Sequence, residues 1–211
     1  TAAMAIFEDR TDRLSAETEW RRLASTDPLT ELDNRRHFLE RMAEALSRLH
    51  RDPDQPAALL VLDVDHFKSI NDRHGHAAGD AALRFLSGLL RGELRREDTA
   101  GRIGGEECAI LLPGSDLAAA TAFADRLRRT IAAAQVTFAG QAPAVTVSIG
   151  VTALKTMDAT PEQALARADA DLYRAKDAGR NRIEPAVDPA SAGMPTGAHR
   201  SKNAPGPEAD G

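Results

Sequence analysis

The sequence is poor in cysteine, aromatic residues and lysine, and it contains no long apolar run. Its one cysteine, Cys108, excludes an intrachain disulfide and fits a reducing compartment. No apolar stretch approaches the roughly 20 residues that cross a bilayer, and no secretory signal is visible. A soluble, cytoplasmic domain with no membrane contact of its own is therefore expected. The net charge of −5 supplies no basic field of the kind that marks nucleic-acid binding. Lysine contributes four of the 27 basic residues, and no internal repeat is present. What remains, 211 residues with 42% hydrophobic content, suffices for one buried core with extensions on it. A chain that begins at Thr is expected to be a fragment of something longer.

The elements follow from periodicity. Residues 1–25 are charged and helix-permissive, an expected signalling helix entering from an upstream module, and Asp27-Pro28 ends it. A helix is predicted from Asn34 to His50, with Phe38, Leu39, Met42, Leu46 and Leu49 on one face. Ala57–Val64 is a continuous apolar run of strand length, suited to a strand buried on both sides. A turn at Gly75 precedes a helix over 77–94. Two adjacent glycines, Gly104 and Gly105, predict a hairpin in which glycine supplies positive φ. A helix over 116–135, a strand alternating through Val145, Val147, Ile149 and Val151, and a helix from Thr160 to about Ala178 complete the order. Beyond Pro185 the chain is rich in Ala, Pro, Gly and Ser, and a disordered tail is expected over 185–211. The order β–α–β–β–α–β predicts an α+β fold of the ferredoxin-like type, an antiparallel central sheet flanked by helices.

Two acidic groups stand out against that order. Asp63-Val64-Asp65 closes the apolar strand, and Glu106-Glu107 follows the glycine pair. Alone, each reads as a solvated turn. Like charges 4 Å apart repel by ~4 kcal/mol at an effective dielectric near 20, a cost that a bound cation removes. In the ferredoxin-like plan the first strand lies beside the strand after the hairpin, so the end of one meets the start of the other. Acids 43 positions apart in sequence then share one edge, the geometry a metal site needs. His66, His74 and His76 have no accompanying cysteine or zincin spacing, so they carry no zinc prediction.

Five segments, DPLTELDNRR (27–36), DVDHFKSINDRHGHAAGD (63–80), RIGGEEC (102–108), VSIGVT (147–152) and ADADLYRAKDAGRN (168–181), together resemble the GGDEF family of diguanylate cyclases. The resemblance covers 26–184, taken as the domain. It implies condensation of two GTP into cyclic di-GMP with release of two pyrophosphates, by two domains facing each other as a homodimer. It implies Mg²⁺ (or Mn²⁺) held by Asp63, the Val64 carbonyl and Glu106, with Glu107 as an additional ligand; Asp63, Glu106 and Glu107 are then the catalytic acids. Substrate binding is implied for Phe67, Lys68, the amides of Gly104 and Gly105, and Lys176 and Arg180, the last two expected on one helix face toward the terminal phosphates. Asn71 and Asp80 would read the guanine edge, although Asp80 after Gly79 also reads as a helix N-cap. Arg95, Asp98 and Arg126 match the RxxD product site through which cyclic di-GMP inhibits; the same charged stretch also reads as a solvated turn.

The sequence departs from the family at two places. Glu31 stands where glycine is usual, and Cys108 where phenylalanine is usual. Cysteine is a small hydrophobe, so space under the hairpin and looser positioning of the acids are expected. These departures keep a second expectation open, a weak or inactive domain that acts as a receptor for GTP or cyclic di-GMP. A third is a cyclase on the same core that makes a 3′,5′-cyclic mononucleotide.

Overall fold

Every residue of Ala57–Val64 is buried, and this strand is the axis of the sheet. The computed structural model describes residues 25–134 and 145–185. The expected signalling helix, apart from Ser25, and the tail from residue 186 onward lie outside the described residues. The elements in chain order are β1 (Asp33–Asn34), α1 (Arg35–Arg51), β2 (Ala57–Val64), α2 (Phe67–His74) and α3 (His76–Glu93). They continue with β3 (Thr99–Arg102), β4 (Glu107–Pro113), α4 (Leu117–Ala133), β5 (Val147–Ala153), α5 (Pro161–Asp177) and β6 (Ile183–Glu184). The sheet order is β1-β3-β4-β2-β5-β6. Its four long central strands pair antiparallel throughout, β2 lying between β4 and β5. This is the ferredoxin-like arrangement that the order of elements predicted.

Strand alternation divides the core into two layers. Leu60, Leu62 and Val64 of β2 face α3 and α4, with Leu83, Leu86, Leu90 and Leu127 packed against them. Leu59 and Val61 face α1 and α5, among Phe38, Met42, Leu165 and Leu172. The same parity puts Asp63 on the α1–α5 side. On β4, Ala109 and Leu111 belong to the α1–α5 layer, which assigns Glu107 to that side as well. Cys108, fully buried, belongs to the other layer.

Helix ends follow local chemistry. Asn34 caps α1, its side chain accepting the His37 N–H at 3.0 Å, and Asp116 caps α4 by accepting from Ala119 N–H at 2.8 Å. Pro161 opens α5. Three elements were not foreseen. The strands β1 and β6 have two residues each, too short to leave a period, and both form by parallel pairing with β3 and β5. Helix α2 buries only Ile70, so it lacks an apolar stripe.

Asp158, in the loop before α5, is held by a two-pronged pair with Arg167 (2.5 and 2.7 Å) and by the Lys155 N–H at 2.7 Å. Burial pushes its carboxyl up, but these donors outweigh burial and hold it below the ordinary value of 3.8. With the folded value below the unfolded one, this stabilisation is complete above pH 3.8 and is lost as the pH falls through the folded value. Asp158→Ala strands a half-buried guanidinium and is expected to cost about 3 kcal/mol near neutral pH. Thermal melts as a function of pH should show the parent losing stability below 3.8 more steeply than the variant; parallel curves would contradict the assignment.

Candidate active site

The acids meet where β2 ends. Asp63 stands directly opposite Glu107 in the β2–β4 register. The Val64 N–H donates to the Glu106 carbonyl at 3.4 Å, which places the turn beside the strand end. Burial raises the Asp63 carboxyl; Lys176 opposes this, and the charges of Glu106 and then Glu107 add to it. Two strands 43 positions apart therefore deliver three interacting carboxylates. From α5, Lys176 Nζ reaches Asp63 Oδ2 at 2.8 Å, so an ammonium neutralises the most buried of them. Among the described residues no group of three or more His, Cys, Asp or Glu side chains is gathered tightly enough to enclose an ion. Such a donor set still fits Mg²⁺, which takes one or two carboxylates and completes its shell with water and substrate phosphate.

The hairpin differs from the expectation in its backbone. Positive-φ glycines among the described residues are Gly75, Gly114 and Gly179, so neither Gly104 nor Gly105 uses that freedom. A Cβ at 104 would lie 2.4 Å from Glu107 Oε2, so a side chain there would displace that carboxylate. The N–H groups of Ile103 and Gly104 both donate to the Glu107 carbonyl, at 3.0 and 3.2 Å. The Gly104 amide is thus committed inside the turn, whereas Gly105 is exposed at its tip. Arg102 clamps the turn, donating to the Gly105 carbonyl from Nη2 at 2.7 Å and to Asp27 from Nη1 at 3.2 Å. Although burial pushes the Asp27 carboxyl up, Thr30 and Arg102 hold it below its ordinary range. Arg35 adds a bond to the Ile103 carbonyl at 2.9 Å.

The second acid of the strand-end pair has a different task. Asp65 is buried and accepts from Ser148 Oγ at 2.6 Å, Thr146 Oγ1 at 2.8 Å and the Asn181 N–H at 3.0 Å. It ties the end of β2 to β5 and to the segment after α5. Arg128 holds the same segment through Asn181 Oδ1 at 3.0 Å. This corrects the placement of Arg180. Helix α5 ends at Asp177, Gly179 turns with φ +113°, and the Arg180 N–H closes on the Ala175 carbonyl at 3.0 Å. Arg180 is exposed, has φ +63° and lies past the helix, so it does not share a helical face with Lys176.

The base-reading candidates come together. Asn71 on α2 lies against Gly79 on α3, where a Cβ would fall 2.0 Å from Asn71 Oδ1 and 3.0 Å from the Phe67 ring. Asn71 Oδ1 is buried without a hydrogen-bond partner, an arrangement that costs about 1–3 kcal/mol until a donor arrives. Asp80 is half-buried within α3, one turn from its start, so it is not the N-cap; Gly75 holds that position. Lys68 is exposed on α2, and Phe67 packs on the core.

Arg95, Asp98 and Arg126 line one cavity of about 120 Å³. Asp98 Oδ2 accepts the Arg95 N–H at 2.8 Å, and burial raises its carboxyl. Arg126 stacks 5.1 Å over Phe123. Of the two departures, Cys108 borders the α3–α4 core and faces away from the acids, its thiol pushed up by burial to about 12 and so inert near neutral pH. Glu31 adopts φ +59°, a region costing an L-residue about 1–2 kcal/mol, and pairs with Arg91 at 3.1 Å. Among the residues that sequence reasoning left without a role, Asp65, Asn181 and Asp27 act through long-range polar bonds that leave no periodic signal.

The model of the family described as "Diguanylate cyclase, GGDEF domain" matches residues 24–182. The chain is 47% identical over 164 residues to the diguanylate cyclase DgcP of Pseudomonas aeruginosa, covering 78% of this chain and 24% of that protein. It spans less than half the length of the curated relatives it matches. The coiled coil and GGDEF domain of DgcB from Caulobacter crescentus, solved with c-di-GMP, superposes with a TM-score of 0.78 at 30% identity, covering 86% of this chain and 96% of that one. The diguanylate cyclase SiaD of Pseudomonas aeruginosa, solved with its activator SiaC, gives 0.73 at 37% identity over 85% and 69% of the two chains.

Proposed function

The chain belongs to the GGDEF family of diguanylate cyclases, and from that membership we propose that it condenses two GTP into cyclic di-GMP and two pyrophosphates. The observation that carries this reading is the register of Asp63 against Glu107 beside Glu106, with Lys176 on Asp63. Asp63, the Val64 carbonyl and Glu106 would hold Mg²⁺ (or Mn²⁺), with Glu107 adjoining. When bound, the ion supplies Lewis-acid stabilisation of the α-phosphate and leaving pyrophosphate and lowers the pKa of the attacking 3′-hydroxyl.

The chain's own groups do the rest. Lys176 brings an ammonium to the acidic end of the site, and the exposed Arg180 adds a second cation near the terminal phosphates. Gly105 offers its amide to a phosphate from a turn that Arg102 keeps in place. Asn71, held against Gly79, and Asp80 beside it meet the guanine edge. Each domain binds one nucleotide, so two domains must face each other for either 3′-hydroxyl to reach the partner's α-phosphorus. Product returns to Arg95, Asp98 and Arg126 and inhibits.

Incubating the protein with GTP and Mg²⁺, fused to a dimerising coiled coil, tests the proposal. Cyclic di-GMP identified by mass is the expected product. GTP binding with no turnover would establish the receptor reading in its place, and a cyclic mononucleotide would establish the other cyclase.

A further inference from the structure

A second cavity lies on the far side of the Arg95–Asp98 turn. The first, of about 120 Å³, is bounded on its other side by Glu93 and Arg126. The second, of about 230 Å³, is bounded by Glu31 and Arg91, and it shares Arg95 and Asp98 with the first. The turn is therefore a wall common to both. Each cavity carries one further arginine, and an acid holds each of these: Arg126 Nε stands 3.7 Å from Glu93 Oε2, and Arg91 Nη1 stands 3.1 Å from Glu31 Oε2.

The Arg91–Glu31 pair is solvent-exposed on both sides, with 46% and 66% of the side chains accessible, so an anion competes for the guanidinium against a weak partner. Arg91 also donates from Nη1 to the Thr30 carbonyl at 3.0 Å. Both bonds use the same nitrogen, so the Nε–Nη2 edge is left to meet a phosphate as a two-pronged donor. Glu31 makes its bond from a positive φ that L-residues rarely adopt, the kind of outlier found where a site imposes it.

We propose that the product site continues across the Arg95–Asp98 turn into this second cavity, where Arg91 is a further phosphate-binding residue and Glu31 is the acid that competes with the ligand for it. The inference rests on reading Arg95 and Asp98 as the product site. A cyclic dinucleotide carries two phosphates and two bases, so it presents like groups to both flanks of a turn open on both sides. Glu31 then sets how much product is needed before Arg91 is captured.

Calorimetric titration with cyclic di-GMP at fixed salt tests this on the parent, Arg91→Ala, Glu31→Gln, the double variant and Arg95→Ala. Arg91→Ala is expected to bind about tenfold more weakly. Glu31→Gln keeps the size and backbone of the residue but removes its charge, and is expected to bind about threefold more tightly. That gain should vanish when Arg91 is already Ala, because the two changes act on one contact. A purely structural pair would move both single variants in the same direction. Parent-like affinity in Arg91→Ala, or weaker binding in Glu31→Gln, would overturn the extension while loss of binding in Arg95→Ala upheld the site itself. A parent that does not bind cyclic di-GMP, or an Arg95→Ala variant that binds as the parent does, would overturn both.

Discussion

Replacing Glu106 by glutamine is expected to lower the proposed cyclic di-GMP synthesis by on the order of 10³-fold, the scale of removing one preorganised charge from a reacting phosphoryl or acyl group. The change keeps the shape of the side chain and the bond from the Val64 N–H to the Glu106 carbonyl, so the turn stays where it is. Only the negative charge beside Asp63 is lost, and that charge is felt: Glu106 precedes Glu107 among the groups that raise the Asp63 carboxyl. GTP affinity should weaken only in its metal-dependent part, because Asn71 and Asp80, the proposed base-reading residues, lie on other elements. Rates measured on the dimerised protein at saturating GTP and Mg²⁺ decide the matter. A variant that keeps a tenth or more of the parent rate would remove Glu106 from the catalytic acids.

Base selectivity gives the second large effect. On the proposed reading the Asp80 carboxylate would accept from guanine N1–H and the exocyclic amine, and adenine offers neither donor at those positions. A site built to pair a polar edge rejects the analogue lacking it by on the order of 10⁴-fold, since its own groups are left unpaired. Asp80→Ala is therefore expected to bring GTP and ATP to within about tenfold of each other in competitive binding, chiefly by loss of GTP affinity. Asp80 is half-buried early in α3, ahead of the buried Leu83, Leu86 and Leu90, so truncation leaves the leucine stripe of that helix intact. Undiminished preference for GTP in the variant would place guanine recognition elsewhere.

The residues that define the site and the fold differ in how far their sequence betrays them. The apolar run 57–64 and the alternation in 147–151 fixed the two antiparallel neighbours, and with them the meeting of Asp63 and Glu107. That step needed only the order of elements and strand parity. What periodicity does not carry is any contact made by one polar side chain across the fold. Asp65 looked like a twin of Asp63, yet two hydroxyls and the Asn181 amide occupy it. Family likeness points Lys176 toward phosphate, and its ammonium lies on the buried Asp63. Arg180 lies past the end of α5, which stops at Asp177 before the positive-φ turn at Gly179, so its four-residue spacing from Lys176 does not put the two on one helical face. The glycine pair suggests backbone freedom, whereas neither glycine adopts a positive φ and a Cβ at Gly104 would press on the Glu107 carboxylate. Glu31 at positive φ is legible in neither propensity nor pattern, and its bond to Arg91 emerges only when the wide turn folds against α3.

Convergence of Asp63 and Glu106 on one divalent ion beside bound nucleotide is measured most directly by titrating Mn²⁺ under electron paramagnetic resonance, with a non-hydrolysable GTP analogue at saturation. The parent should bind Mn²⁺ about 10–100-fold more tightly than either Asp63→Asn or Glu106→Gln, with both variants still binding the analogue. Equal Mn²⁺ affinity in all three proteins would contradict the shared site.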